Sequence, residues 1–259
     1  MFRRLFQIAA LLILIAQTVC AVTLDNSKYS PRNRERPLRR QTNYIILHTT
    51  EAPAESALNK LSANGECHYM IDPYGRIYRI IDPRRVAYHA GLSMWNGQVN
   101  LDNYAIGIEM VGYHDRNLSA QQYTSLAALL RELKLQYKIP DEKVMPHSMV
   151  AYGKPNQWQK RNHRGRKRCG MLFAQSSVRA KLGLKRRPGS DPDVRAGRLM
   201  VADSYLQSVL FGGVRAVGYS LSSAASLNVR RTPSISAPTP SKQSRSVWKK
   251  SSKSSVKKK

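Results

Sequence analysis

The sequence predicts an α/β domain: a mixed central β-sheet flanked by helices, with a candidate functional site at one sheet edge and a disordered basic tail at its C-terminal end. Three observations predict it. Short apolar runs of strand length recur between residues 43 and 147. Amphipathic stretches of helical period separate them. Proline- and glycine-containing turns bound the runs.

In chain order, Arg3 and Arg4 precede the apolar stretch Leu5 to Ala16, and Val19-Cys20-Ala21 supplies a small-residue cleavage site. Residues 1–21 therefore read as a secretory signal peptide. The alternative is an anchor, but the apolar run falls short of the roughly 20 residues a spanning helix needs, so the mature protein is expected to carry no transmembrane span. Residues 22–40 are polar and basic and read as a linker. The catalytic domain is placed at 41–185. It opens with a strand, Asn43 to His48, and a helix, Ala54 to Ala63. A hairpin follows, from Cys67-His68-Tyr69-Met70-Ile71-Asp72 through the turn Pro73-Tyr74-Gly75 into Arg76 to Ile81, and then a strand ending at Glu109. Ser119-x-x-Gln122 is a capping box. Tyr123, Leu126, Ala127, Leu130, Leu133 and Tyr137 continue it as an apolar stripe, which Ile139-Pro140-Asp141 ends. Lys143-Val144-Met145-Pro146 reads as another short strand, and a helix over Gln175–Leu182 closes the domain. Residues 186–231 form an extension of unassigned role, with a helix expected over Val194–Phe211 and stopped by Gly212-Gly213.

The formal net charge is +27, and no acidic residue follows Asp203. Residues 232–259, rich in Ser, Pro and Lys, cannot bury a core and are expected to be disordered. Nucleic acid is the usual partner of such a tail, but an export signal argues against it. Anionic envelope polymers are the expected partners, in the periplasm or cell envelope.

The chemistry centres on two histidines that each follow an apolar run, His48 and His147, and on the pair Lys167 and Cys169. Two imidazoles and a thiolate make a three-ligand zinc site with its fourth position open. One zinc per chain is expected. Lys167, two residues before the thiolate, would sit where negative charge develops in acyl-group hydrolysis, although it also lies in a dense basic run from Arg161 to Arg168. Glu109 ends an apolar strand, where a carboxylate needs a reason to be buried. It reads as a general base or as a strand-end partner for an arginine. Export leaves Cys67 and Cys169 in an oxidising compartment, so a disulfide between them competes with the ligand reading. His163 competes as a ligand because it shares the long segment that leads to Cys169.

His48, Tyr88-His89-Ala90-Gly91 with Ser93 and Trp95, Ile106-Gly107-Ile108-Glu109, His147 and Arg166-Lys167-Arg168-Cys169-Gly170 occur in that order. This succession resembles the N-acetylmuramoyl-L-alanine amidases of the peptidoglycan-recognition-protein-like superfamily over roughly residues 43–174. The resemblance implies cleavage of the amide between N-acetylmuramic acid and L-alanine of the stem peptide, in peptidoglycan or muropeptides. It implies zinc on His48, His147 and Cys169, Glu109 as base and Lys167 as oxyanion donor. His89 and Trp95 are expected to contact substrate. Two departures stand out. Cysteine as third ligand belongs to the phage-lysozyme and animal recognition-protein branches, whereas many members with the glutamate use aspartate; and Val150 to Arg164 looks inserted between His147 and Cys169.

Two other functions compete. Members lacking the zinc cysteine bind muropeptides without cleaving them, and retention of His48, His147 and Cys169 argues against that reading here. Ser246-x-x-Lys249, Ser254-x-x-Lys257 and Ser255-x-x-Lys258 have the spacing of penicillin-sensitive D,D-carboxypeptidases, but no Lys-Thr-Gly accompanies them.

Overall fold

Strand β2 (Tyr44–Thr49) is buried at every residue, as a strand covered on both faces must be. Ile45 and Leu47 point into one core, Tyr44 and Ile46 into another. It lies between β7 (Ala105–Met110) and β8 (Val144–Pro146), parallel to both. β7 is parallel on its other side to β3 (Tyr69–Ile71), which turns through Pro73 to Gly75 into antiparallel β4 (Ile77–Arg79). With β1 (Leu24–Asp25) beyond β4, the mixed sheet runs β1-β4-β3-β7-β2-β8. The computed structural model describes residues 22–212. The signal-peptide reading of 1–21 and the tail reading of 232–259 lie outside them, as does the extension beyond Gly212. No helix among the described residues is long and apolar enough to cross a membrane.

Helices cover both faces. α1 (Ala54–Asn64) packs Ala57 and Leu61 on Met70, Tyr78 and Ile80. α2 (Ala120–Tyr137) packs Tyr123, Leu126, Leu129, Leu130 and Leu133 on the opposite face, against Ile71, Ile106 and Ile108. The capping box forms as expected: the Gln122 N–H donates to Ser119 Oγ, and the Ser119 N–H to Gln122 Oε1, each at 3.0 Å. α2 ends where Lys138 turns left-handed, φ 54°. The short α3 (His147–Val150) follows β8 directly, and α4 (Ser176–Lys181) closes this core.

Residues 22–40, expected as a linker, instead strap the sheet edge. β1 pairs with β4, the Ser30 N–H donates to Ile80 O at 2.8 Å, and the buried Asn33 side chain bridges Ile80 O and the Asp82 N–H. The free edge of β4 has backbone groups to satisfy, and polar residues satisfy them as well as apolar ones do. Hydrophobic patterning therefore misses the segment.

The helix expected over Val194–Phe211 is broken in two. α5 (Pro192–Arg195) and α6 (Ser204–Phe211) each start at a capping aspartate, Asp191 and Asp203. Gly197 (φ 68°) turns the chain between them. Met200 and Val201 then form β10, which pairs with β9 (His163–Arg164), the returning end of the inserted segment. A second hairpin, β5 (Met94–Trp95) with β6 (Gln98–Val99), is tied to α5 by Asp193, which accepts the N–H groups of Asn96 and Gly97.

Candidate active site

Side-chain alternation and strand register together assemble the site. His48 lies on the same face of β2 as Ile46, and its register partner on β7 is Glu109. His147 begins α3 immediately after β8, next to β2 at the sheet edge. Cys169 arrives from the other end of the inserted segment. Its Sγ accepts the Thr49 N–H at 3.4 Å, its carbonyl accepts the Ser148 N–H at 3.0 Å, and the Gly170 N–H donates to Thr49 Oγ1 at 2.9 Å. Gly170 has φ 71°, and a Cβ there would collide with the Leu47 carbonyl. Only glycine lets this loop lie against the end of β2.

One ligand atom each from His48, His147 and Cys169 lies within 4.8 Å of the others. His48 Nδ1 is 3.7 Å from Cys169 Sγ and 3.7 Å from Glu109 Oε1. Tetrahedral zinc with bonds of about 2.0–2.3 Å separates its ligand atoms by about 3.3–3.6 Å, close to the 3.7 Å between His48 Nδ1 and Cys169 Sγ. His163 is not one of the three. It is buried against Gly153, with Nδ1 at 3.1 Å from Arg161 O. Cys67 and Cys169 are both free thiols, Cys67 fully buried under α1.

Burial disfavours the charged forms of His48, His147, Cys169 and Glu109. It drives His48 well below the usual imidazole value, helped by the charges of His147, His89 and Lys167. It lowers His147 to about 3 despite the Ala90 carbonyl. It raises Cys169 to about 12, with Glu109 adding to the effect, and Glu109 to about 8, with Glu66 adding. Glu109 Oε2 is also buried without a hydrogen-bond partner. Two free imidazole lone pairs, an un-ionised thiol and an orphaned carboxyl oxygen are a donor set short of positive charge. A zinc ion fits it, and its charge would reverse the shifts of Cys169 and Glu109.

A cleft of about 690 Å³ opens over these groups. Lys60, Glu66, Glu51 and His114 line one part, with Lys60 on Glu66 at 3.3 Å and His114 on Glu51 at 2.8 Å. Arg166, Lys167 and Arg168 line another. Arg168 is paired to Asp203 at 2.9 Å. Arg166 and Lys167 have no carboxylate partner among the described residues, leaving two uncompensated cations over the cleft.

This fold and cleft coincide with a sequence-family match. The family model described as N-acetylmuramoyl-L-alanine amidase matches residues 38–169, just over half of the chain. The chain belongs to the N-acetylmuramoyl-L-alanine amidase family. Within the amidase family, the 1,6-anhydro-N-acetylmuramyl-L-alanine amidase AmpD of Haemophilus influenzae is 32% identical over 85 residues, 32% of this chain and 46% of that protein. The N-acetylmuramoyl-L-alanine amidase AmiD of Escherichia coli is 23% identical over 171 residues, 58% of this chain and 61% of that protein. The chain thus spans about half to three fifths of the length of these relatives. Among solved structures, AmpDh3 of Pseudomonas aeruginosa is 20% identical with a TM-score of 0.46, covering 68% of this chain and 70% of that one. The match to the family model ends at Cys169.

Of the two residues expected at the substrate, the structure places His89 in the lining of the cleft and Trp95 outside it. Trp95 does not line the cleft; it is half-buried on β5 against the Tyr44–Ile46 core. The His89 side chain is fully buried beneath His48. Thr49, Asp102 and the Ala90 carbonyl, all close to the site, carry no sequence signal: a threonine, an aspartate and a backbone oxygen gain meaning only from what faces them.

Proposed function

We propose that this chain is a zinc-dependent amidase that cleaves the bond between the lactyl group of N-acetylmuramic acid and L-alanine, in peptidoglycan or its muropeptide fragments. The convergence of His48, His147 and Cys169 beneath an open cleft, beside a buried Glu109, carries this reading. Membership of the family supports it. His48, His147 and Cys169 hold the metal. Bound zinc supplies Lewis acidity, polarising the scissile carbonyl and making a water acidic enough to attack near neutral pH.

Glu109 takes the water's proton and passes it to the leaving amine. Burial alone raises Glu109 to about 8, and the charge of bound zinc would bring it back down, leaving a carboxylate able to accept that proton. Lys167 offsets the negative charge that grows on the carbonyl oxygen, a role whose loss typically costs about 2.7–4 kcal/mol of transition-state stabilisation. Arg166 and Lys167 draw the carboxylates of the stem peptide to the cleft, which shields them from bulk water better than an open surface would. Export to the envelope, and attachment to anionic polymers through residues 232–259, complete the proposal on sequence grounds alone.

The deciding experiment is mass spectrometry of purified murein after digestion, with and without a zinc chelator. Chelator-sensitive release of intact stem peptides beginning at L-alanine is expected. Binding of muropeptides with no cleavage under zinc-replete conditions would replace the enzyme by a receptor. A penicillin-sensitive loss of terminal D-alanine would establish the carboxypeptidase alternative.

A further inference from the structure

Both site histidines turn one nitrogen away from the cleft, and both of those nitrogens meet the same loop. His48 Nε2 is 3.1 Å from His89 Nδ1, and His147 Nε2 is 3.0 Å from the Ala90 carbonyl. A carbonyl can only accept, so His147 must carry its proton on Nε2. The same logic reaches His48 through one more step. His89 Nε2 faces only acceptors, Ala105 O at 3.4 Å and Asp102 Oδ1 at 3.9 Å. It therefore carries the His89 proton, and Nδ1 is left as a lone pair. Only an Nε2–H on His48 can satisfy that lone pair. Each imidazole then keeps an unprotonated Nδ1, and that of His48 lies 3.7 Å from Cys169 Sγ.

The loop that does this is itself held. Asp102 Oδ1 accepts the backbone N–H of His89 at 2.9 Å and of Ala90 at 2.7 Å. The His89 ring fits under His48 because Gly107, on the adjacent strand, has no Cβ; a methyl group there would occupy the ring's own space. Neither Asp102 nor Gly107 faces the cleft.

We propose that Tyr88-His89-Ala90-Gly91 is a tautomer-setting cradle, in which His89, the Ala90 carbonyl and Asp102 fix both ligand imidazoles as Nε2–H before any metal arrives. His89 and Asp102 are thus positioning residues, and the reading of His48 and His147 as zinc ligands underlies the proposal. Partners of this kind orient a ligand and raise its basicity, and their loss typically weakens metal binding about 10–100-fold.

The first test is long-range ¹H–¹⁵N correlation of the histidine rings in the metal-free full-length protein at neutral pH. His48 and His147 should both be Nε2–H. An Nδ1–H tautomer on either, or averaging between the two, would overturn the proposal. The second test is zinc affinity by chelator competition. His89→Leu should bind zinc about 10–100-fold more weakly and lose the single tautomer of His48. His89→Asn, whose Oδ1 can stand where Nδ1 stood as an acceptor, should regain most of the affinity, which a purely space-filling role does not predict. Should His89→Leu fail to fold, Asp102→Ala frees the two loop N–H groups without touching either imidazole, and it should weaken zinc binding in a metal-free protein of near-parental melting temperature. Parental zinc affinity in a folded His89→Leu or Asp102→Ala protein would refute the cradle and leave the amidase reading intact. A parent chain with no zinc affinity would instead remove the metal reading, and this proposal with it.

Discussion

Ionising Cys169 carries an electrostatic cost in the buried site. Burial pushes its thiol up to about 12, so the thiolate forms at neutral pH only if a cation arrives with it. Cys169→Ala should therefore lose zinc and amidase activity together, read by metal content and murein digestion. Stoichiometric zinc in that variant would pass the ligand role to another residue. Glu109→Gln should behave differently. The amide fills the same volume and cannot take a proton, so zinc content and melting temperature should hold while kcat falls at least about 100-fold. Near-parental turnover would remove Glu109 as base. At this scale the sequence was largely legible: His48, His147, Cys169 and Glu109 were all nameable from position and order. Asp102 and the Ala90 carbonyl were not, because the one faces loop N–H groups 12 and 13 residues away and the other an imidazole 57 residues on.

Among the elements, β7 does two jobs through one alternation. Ile106, Ile108 and Met110 bury against α2, while on the other face Gly107 lies against the His89 ring and Glu109 faces the site. Gly107→Ala should force the His89 ring to move. Overpacking of this sort costs roughly 1–3 kcal/mol in stability, measurable by urea unfolding, and zinc affinity should fall alongside it. Unchanged stability would mean that His89 has room the packing does not show. The strands and α2 were readable because period-2 and period-3.6 patterns follow directly from backbone geometry, and the Ser119–Gln122 box marks its own helix start. The strap at 22–40 and the interruption of Val194–Phe211 were not readable. Both depend on backbone hydrogen bonds to distant edges, to β4 and to β9, which leave no periodic trace.

At the scale of the whole molecule, one buried charge network joins the inserted segment to the extension. The Arg164 guanidinium is 2.6 Å from Asp191 and 3.1 Å from Asp193, and it also donates to the carbonyls of Val150 and Met94. Asp193→Ala would take from Arg164 one of its two carboxylates and strand the N–H groups of Asn96 and Gly97. Breaking a buried pair on one side typically costs about 3–5 kcal/mol, so urea denaturation should show a large loss. A change under about 1 kcal/mol would mean that the network is solvated and the insertion only loosely attached. A second clamp gives a pH dependence. Partial burial tends to raise the Asp141 carboxyl, but bonds from Lys134 and from the N–H groups of Lys185 and Arg186 outweigh it, and the net shift is downward. A depressed carboxylate contributes stability above its unfolded value of about 3.9, and loses it as pH falls through the lower folded value. Asp141→Asn should therefore flatten the acid limb of the stability curve below about pH 4 and leave its slope near neutrality unchanged.

By itself the sequence determined the α/β class, the boundaries of the main strands and of α2, and the order of the residues that make the chemistry. These are local properties: periodicity, capping and residue type act over a few positions. The tertiary structure alone decided how those residues meet. Parallel register set His48 beside Glu109, a left-handed glycine let Cys169 reach the end of β2, and Asp102 holds the loop behind both histidines. It also set Trp95 against the edge of a core cluster and folded the expected linker onto the sheet. The physical reason is the same in each case. A hydrogen bond or a close packing contact is specified by two partners, and a chain read one position at a time shows only one of them.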